Sequence, residues 1–268
     1  MTIRALYTAT SGMQVQESNL DTIANNLANA NTTAFKRTRV NFEDLFYQYQ
    51  KLPGTVDSNG LPSSIGIQYG LGARVAGTEV DQTQGTFTQT GGQLDLAISG
   101  SGFFQVQDAQ TGKTLYTRAG SFSVNANGQI VLASADLGRP LQPALSIPPG
   151  ATQITISGDG VVSVLEPPNT NPTQIGNIQT ATFINPQGLI QLGQNLFQQS
   201  DASGSPQAGA PGQEARGLLQ QGYLEASNVD ATTELVGLIN TQRTYELNSQ
   251  VVQASDQILQ LLTNLRRF

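Results

Sequence analysis

Apolar residues recur at helical spacing at both ends of this chain, and the middle follows a different rhythm. From residue 3 to 30, Leu6, Ala9, Met13, Gln16, Leu20, Ile23, Leu27 and Ala30 follow alternating steps of three and four. That is the a/d seam of a coiled-coil helix, with Gln16 its single polar member. Gly12 lies inside the run. It costs about 1 kcal/mol relative to alanine in a helix, and it lets a neighbouring backbone come close. The pattern stops at Asn29-Ala30-Asn31-Thr32-Thr33, a cluster of residues that favour helix ends.

A longer helix is predicted over residues 230–265. Ala231, Leu238, Tyr245, Val252 and Leu259 lie seven apart, and a flanking row of Val251, Ile258 and Leu265, with Leu235 and Leu262, widens the apolar face. Asn228 or Asp230 can serve as N-cap, and Glu234 suits the first turn. Arg266 and Arg267 suit the negative end of the dipole. A lone two-helix hairpin of this length is marginal in water, so each helix is expected to pack on several others. The same pattern also fits two helices that simply cap one globular core.

From about residue 80 to 200 the runs are short and β-like: LDLAI (94–98), FFQV (103–106), SFSV (121–124), QIVL (129–132), ITI (154–156) and VVSV (161–164). One unit occurs three times, as SVNANGQIVL, TISGDGVVSV and FINPQGLIQL; in the first two, Asn127-Gly128 and Asp159-Gly160 are hairpin-turn dipeptides. No helical crossover lies between the runs, which predicts an antiparallel domain. KLPGTVDSNGLPSSIG (51–66) reads as a connector, and SDASGSPQAGAPGQEAR (200–216) as a mobile surface loop. The expected fold class is therefore α+β, with N- and C-terminal helices forming a coiled coil and a central antiparallel β domain.

Composition removes most chemistry. With no histidine and no cysteine among 268 residues, imidazole bases, thiol nucleophiles, disulfides and the usual zinc ligand sets are excluded. A net charge of −6 argues against a phosphate-tracking nucleic-acid binder, and the densest basic cluster, Lys36-Arg37-Thr38-Arg39, is small. No apolar run approaches the length of a membrane span. The N-terminus has no uninterrupted apolar core of a signal peptide, so export, if it occurs, is expected without cleavage. GSGFFQ (100–105) has Gln105 where a dinucleotide loop needs its third glycine. Asn31-Thr32-Thr33 fits a glycosylation triplet but reads better as a helix stop. Carboxylates are the remaining enzymatic route. Asp81, Asp95, Asp108, Asp136 and Asp159 lie in or near the β region, where two could flank a glycosidic bond, although turn residues of this kind are usually solvated. No cofactor and no metal site is expected.

ALYTATSGMQVQESNLDTIANNLANANTTAFKR (5–37) closely resembles the N-terminal signature of the bacterial flagellar rod and hook axial family. The likeness continues in QGTFTQTGGQLDLAISGSGFFQV (84–106) and YTRAGSFSVNANGQIV (116–131), and closes in GYLEASNVDATTELVGLINTQRTYELNSQVVQASDQILQLL (222–262). EDLFYQYQKLPGTVDSNGLPSSIGIQYGLGARV (43–75) resembles a segment of the distal-rod members of that family. The family usually has glycine where this chain has Ala34.

This resemblance implies a non-enzymatic structural subunit that polymerises into the distal rod, a hollow shaft transmitting torque; the alternatives are a proximal rod or hook member, or a peptidoglycan-acting carboxylate hydrolase or glycan-binding module. It implies three layers: residues 1–35 with 225–268 as an inner helical core, 36–80 with 217–224 as a connecting layer, and 81–216 as an outer β domain. Self-assembly would then fall to Leu6, Met13, Leu20, Ile23 and Leu27 on the first helix. On the second it would fall to Leu235, Leu238, Tyr245, Val252, Leu259 and Leu262. Implied partners are further copies of the chain, proximal rod and hook proteins, the surrounding periplasmic and outer-membrane rings, and the flagellar export apparatus. The implied location is the basal body, from periplasm to outer membrane.

Overall fold

The computed structural model of the chain describes residues 2–55, 62, 64–134, 138–167 and 171–265; Asp136, Arg266 and Arg267, singled out above, lie outside them. The chain forms two compact units. One comprises Met1–Ala28, Thr38–Val80 and Asp230–Phe268; the other comprises Asn29–Arg37 and Asp81–Val229. The class is α+β, with a helix near each end and mainly antiparallel sheet between them.

In the first unit, α1 (Thr2–Ala28) has 27 residues and α2 (Ala231–Leu265) has 35, about 40 and 52 Å of helix. Asp230 is the N-cap of α2. Its Oδ1 accepts the Thr232 amide at 3.0 Å, its Oδ2 accepts the Thr233 hydroxyl at 2.7 Å, and its carbonyl accepts the Glu234 amide at 3.0 Å.

Among the described residues the first unit also contains four strands that periodicity does not reveal. β1 (Thr38–Asp44), β2 (Tyr47–Lys51), β3 (Ile67–Gly70) and β4 (Ala73–Val80) pair as two antiparallel ribbons, β1 with β4 and β2 with β3. Opposite charges face each other across β1 and β4: Arg39 meets Glu79 at 2.8 Å, and Arg74 pairs with Glu43. α1 lies against this ribbon. The Asn26 side chain accepts the Thr38 amide at 3.0 Å and donates to the Thr38 carbonyl at 2.8 Å. Gly72, with φ +112°, comes so close that a Cβ there would stand 2.0 Å from the Ser11 hydroxyl.

The second unit is built on a nine-stranded antiparallel sheet among the described residues. Phe103–Gln107 lies inside it, between Thr114–Thr117 and Arg139–Gln142, and Thr180–Thr182 pairs with the same strand. Adjacent residues of a strand point to opposite faces, and here each face has its own core. Phe104 and Val106 join Leu96, Ile98, Ile130, Leu141, Val162 and Ile178 in one cluster. Phe103 joins Tyr116, Phe183 and Phe197 in another, with the aromatic rings edge to face.

Two of the three repeated units close hairpins. Phe122–Val124 pairs with Ile130–Leu132 around Asn127-Gly128, and Gln153–Ile156 pairs with Val161–Leu165 around Asp159-Gly160. Gly128 and Gly160 take the positive φ these turns need, +79° and +86°. The third does not. Pro186–Gly188 forms a 3-10 turn, and the strands on either side pair elsewhere.

The segment 200–216 is built into the fold. Gln207–Gly209 pairs with Thr180–Thr182, the Ser203 side chain is buried, and the buried Arg216 donates to the Ala210 carbonyl at 3.1 Å. Low complexity here reflects tight turns around a few anchored groups.

Deep in the second unit, one carboxylate holds two cations. Glu225 accepts Lys36 Nζ at 2.6 Å, Arg118 Nε at 3.0 Å and the Gly85 amide at 3.0 Å. Lys36 also donates to the Thr83 carbonyl at 2.6 Å, and Arg118 to the carbonyls of Gly100 and Gly102, both at 2.9 Å. All three side chains are buried. Burial pulls the Lys36 ammonium below its ordinary pKa, against the opposing pull of Glu225. For Glu225, burial pushes the pKa up, but Arg118 and Lys36 outweigh it and hold the carboxyl below its ordinary value.

Backbone bonds run beside this cluster. The Ala34 amide donates to the Glu225 carbonyl at 2.8 Å, the Asn228 amide to the Phe35 carbonyl at 3.4 Å, and the Arg37 amide to Asn228 Oδ1 at 2.7 Å. Asn228, the alternative cap in the sequence reading, is thus committed to this seam.

Candidate assembly surface

α1 and α2 pack side by side in opposite directions. Asn26 Nδ2 lies 3.5 Å from Glu234 Oε2, Asn19 Nδ2 donates to Thr241 Oγ1 at 2.9 Å, and a Cβ on Gly12 would stand 3.0 Å from Asn248 Nδ2. Each step of seven back along α1 matches a step of seven forward along α2. Ile23 against Gly237 falls in the same register.

The face that α2 turns to α1 is therefore polar. Glu234, Thr241 and Ser255 are buried and Asn248 is half-buried, one residue per heptad. The apolar residues of α2 flank this column. Leu238, Val252 and Leu259 are half-buried on one flank, whereas Tyr245 beside them is exposed. On the other flank Leu247, Val251, Ile258 and Leu261 are exposed, Leu247 to 60% and Leu261 to 63%. Large apolar side chains in a row at helical spacing, open to solvent, mark an interaction surface.

The residues proposed from sequence for self-assembly divide accordingly. Ile23 is buried in the subunit, and Leu6, Met13, Leu20 and Leu27 are half-buried on α1. Leu235 and Leu262 are exposed on α2 along with Tyr245. The first unit carries a further open patch that the sequence reading did not single out by residue. On and beside the β2–β3 ribbon, Phe46, Tyr47, Tyr49, Ile65, Ile67 and Tyr69 are exposed, Phe46 to 89%. Arg4 lies over the Tyr69 ring at 5.4 Å, and an open cleft of about 560 Å³ runs between α1 and this ribbon, past Arg4, Thr8, Tyr49 and Tyr69.

Of the candidate carboxylates, Asp81 and Asp108 cap turns and Asp95 lies at an isolated bridge with Ser121. Asp81 accepts the Thr83 amide at 3.0 Å, Asp95 the Thr90 hydroxyl at 2.5 Å, and Asp108 the Thr111 hydroxyl at 2.6 Å. These bonds to Thr83 and Thr111 hold the Asp81 and Asp108 carboxyls below the ordinary range, as suits ionised turn residues.

Three regions match flagellar families: residues 6–36 the flagella basal body rod protein family, 97–164 the flagellar hook protein FlgE/F/G D1 domain, and 220–265 the flagellar basal body rod FlgEFG protein C-terminal family. Full-length relatives are similar throughout. The flagellar basal-body rod protein FlgG of Caulobacter vibrioides is 45% identical over 98% of this chain and 100% of its own length. That of Buchnera aphidicola subsp. Baizongia pistaciae is 43% identical over the same shares. The chain belongs to the flagellar basal-body rod protein family.

A more distant rod protein, FlgG of Bacillus subtilis, is 36% identical over 99% of the rod subunit and 100% of its own length. The rod subunit is thus a structural protein of the flagellar basal body, a distal-rod component and not an enzyme. Its turn aspartates need no catalytic account, and its exposed helical rows become the surface to explain.

Proposed function

We propose that this rod subunit polymerises through α1 and α2 into a hollow shaft that carries motor torque toward the hook. The two helices act as a two-stranded coiled coil, stacked against those of neighbouring copies in an inner tube. Residues 36–80 with 217–224 form a connecting layer, and 81–216 an outer one. The single observation that carries this reading is the inversion of α2: its polar column is turned to α1, while Leu247, Val251, Ile258 and Leu261 are left in solvent. A lone soluble protein gains nothing from that arrangement; a subunit that meets copies of itself buries those rows. The aromatic patch on and beside β2–β3 lies in the segment 43–75, which we place between adjacent protofilaments, where it stiffens the shaft. At the ends of the polymer the partners are proximal rod and hook proteins, and around it the periplasmic and outer-membrane rings. Delivery is through the flagellar export apparatus without cleavage.

The test is Val251→Asp with Ile258→Asp. Both positions are open in the subunit, so the variant folds, but purified protein should give dispersed subunits where the unsubstituted chain gives straight tubes in electron micrographs. Tubes formed equally well by the variant would overturn the packing scheme.

A further inference from the structure

The polar column on α2 is more than a weak spot in the helix pair. Four residues spaced by seven, Glu234, Thr241, Asn248 and Ser255, occupy positions where a stable two-helix seam would carry leucine or isoleucine. The first three are answered on α1 at the same interval by Asn26, Asn19 and Gly12. Meanwhile α2 carries enough large apolar residues to build such a seam, and they lie on the flanks. An apolar flank packs against almost any other apolar surface. With α2 turned, the Asn19 carboxamide loses its Thr241 acceptor and the buried Glu234 loses the Asn26 donor, and each loss is penalised, whereas the Thr241 hydroxyl keeps its bond to the Gly237 carbonyl of its own helix. The two kinds of surface are therefore not interchangeable: only one rotation of α2 about its own axis satisfies the column.

We infer that the Asn19–Thr241 and Asn26–Glu234 contacts are a rotational key, fixing which side of α2 faces its own α1 and reserving the apolar flanks for other copies. This rests on the polymerisation proposed above and adds how a subunit avoids spending its assembly surface on itself. Gly12 contributes by letting the Asn248 carboxamide sit against the α1 backbone, where a Cβ would make it shift. Polar residues buried in helix seams act this way generally, trading stability for one arrangement over its competitors.

The experiment uses the full chain with Asn19→Leu and Thr241→Leu together. A milder variant, Thr241→Val, removes the hydroxyl at nearly constant volume, and the exchanged pair Asn19→Thr with Thr241→Asn keeps a hydrogen bond across the seam. Hydrogen exchange of the helices is followed in dilute subunit, and ordered tubes are counted by electron microscopy at polymerising concentration. The key predicts that the leucine pair slows exchange of α1 and α2 by about tenfold or more, while ordered tubes give way to amorphous aggregate. Thr241→Val should shift both readouts the same way but less, and the exchanged pair should restore tubes. Ordered tubes from the leucine pair at the normal yield would overturn the inference. So would faster exchange together with fewer tubes, because the contacts would then be ordinary stabilising ones. Failure of the unsubstituted chain to form tubes at all would instead overturn the polymerisation reading itself.

Discussion

Lys36 and Glu225, 189 positions apart in the chain, meet at 2.6 Å with neither side chain reaching solvent. Removing one partner of such a pair leaves buried charge behind, typically about 3–5 kcal/mol of lost stability. Glu225→Gln strands two cations, Lys36 and Arg118, and should cost an amount in that range, read as the denaturation midpoint of tyrosine circular dichroism. Glu79→Gln removes a carboxylate from the exposed Arg39 pair and should cost less than about 1 kcal/mol. Equal losses at the two sites would contradict this account.

Acid should open the same unit. Arg118 and Lys36 overcome the effect of burial and depress the Glu225 pKa in the folded chain. The stabilisation is therefore present above the unfolded glutamate pKa of about 4.3 and is lost as pH falls below it toward the folded value. Stability measured against pH should decline in that acid window, and the decline should be shallower in Glu225→Gln, which has no carboxyl left to titrate there.

Ala34 takes φ +58° within the core, its amide bonded to Glu225. The left-handed region costs a residue with a Cβ about 1–2 kcal/mol, against about 0.8 kcal/mol for one buried methyl. Ala34→Gly should raise stability by up to about 1 kcal/mol. Ala34→Val should lower it by about 2 kcal/mol or more, since a branched Cβ fits that conformation poorly and the site is closed. Thermal unfolding of the two variants tests both signs.

Gly72 serves a different need. Its φ of +112° and the 2.0 Å approach of a would-be Cβ to Ser11 leave no room for a side chain. Gly72→Ala should destabilise the first unit by about 2–5 kcal/mol, the sum of backbone strain and overpacking. Hydrogen exchange in α1 should quicken while exchange in the second unit stays unchanged.

Much of this was legible in the sequence, for physical reasons that differ by element. Both helices follow from their heptads, and two hairpins from Asn127-Gly128 and Asp159-Gly160, because these signals are local. β2 and β3 are exposed on both faces, so Tyr47–Lys51 shows no alternation of burial to betray a strand, and in β1 the alternation is broken by a bulge between Asn41 and Phe42. The partners of Glu225 are 189 and 107 residues distant, and no local pattern distinguishes a buried charge from a solvated one. The polar column is present in the sequence, as Glu234, Thr241, Asn248 and Ser255 at intervals of seven, but apolar periodicity does not reveal it. The assembly residues divide for the same reason: a wide apolar face does not say which part a helix keeps for its own partner.

The backbone bonds between 34–37 and 225–228 have a bearing on how such a subunit is made. Once the strand-rich body has closed, these bonds hold the stretch that follows α1 beside the stretch that precedes α2. The search that brings one helical arm to the other is then a short local one, its loop-closure entropy already met by the body. A body that closes first can therefore leave the two arms to zip last, the slow part of the search already behind them.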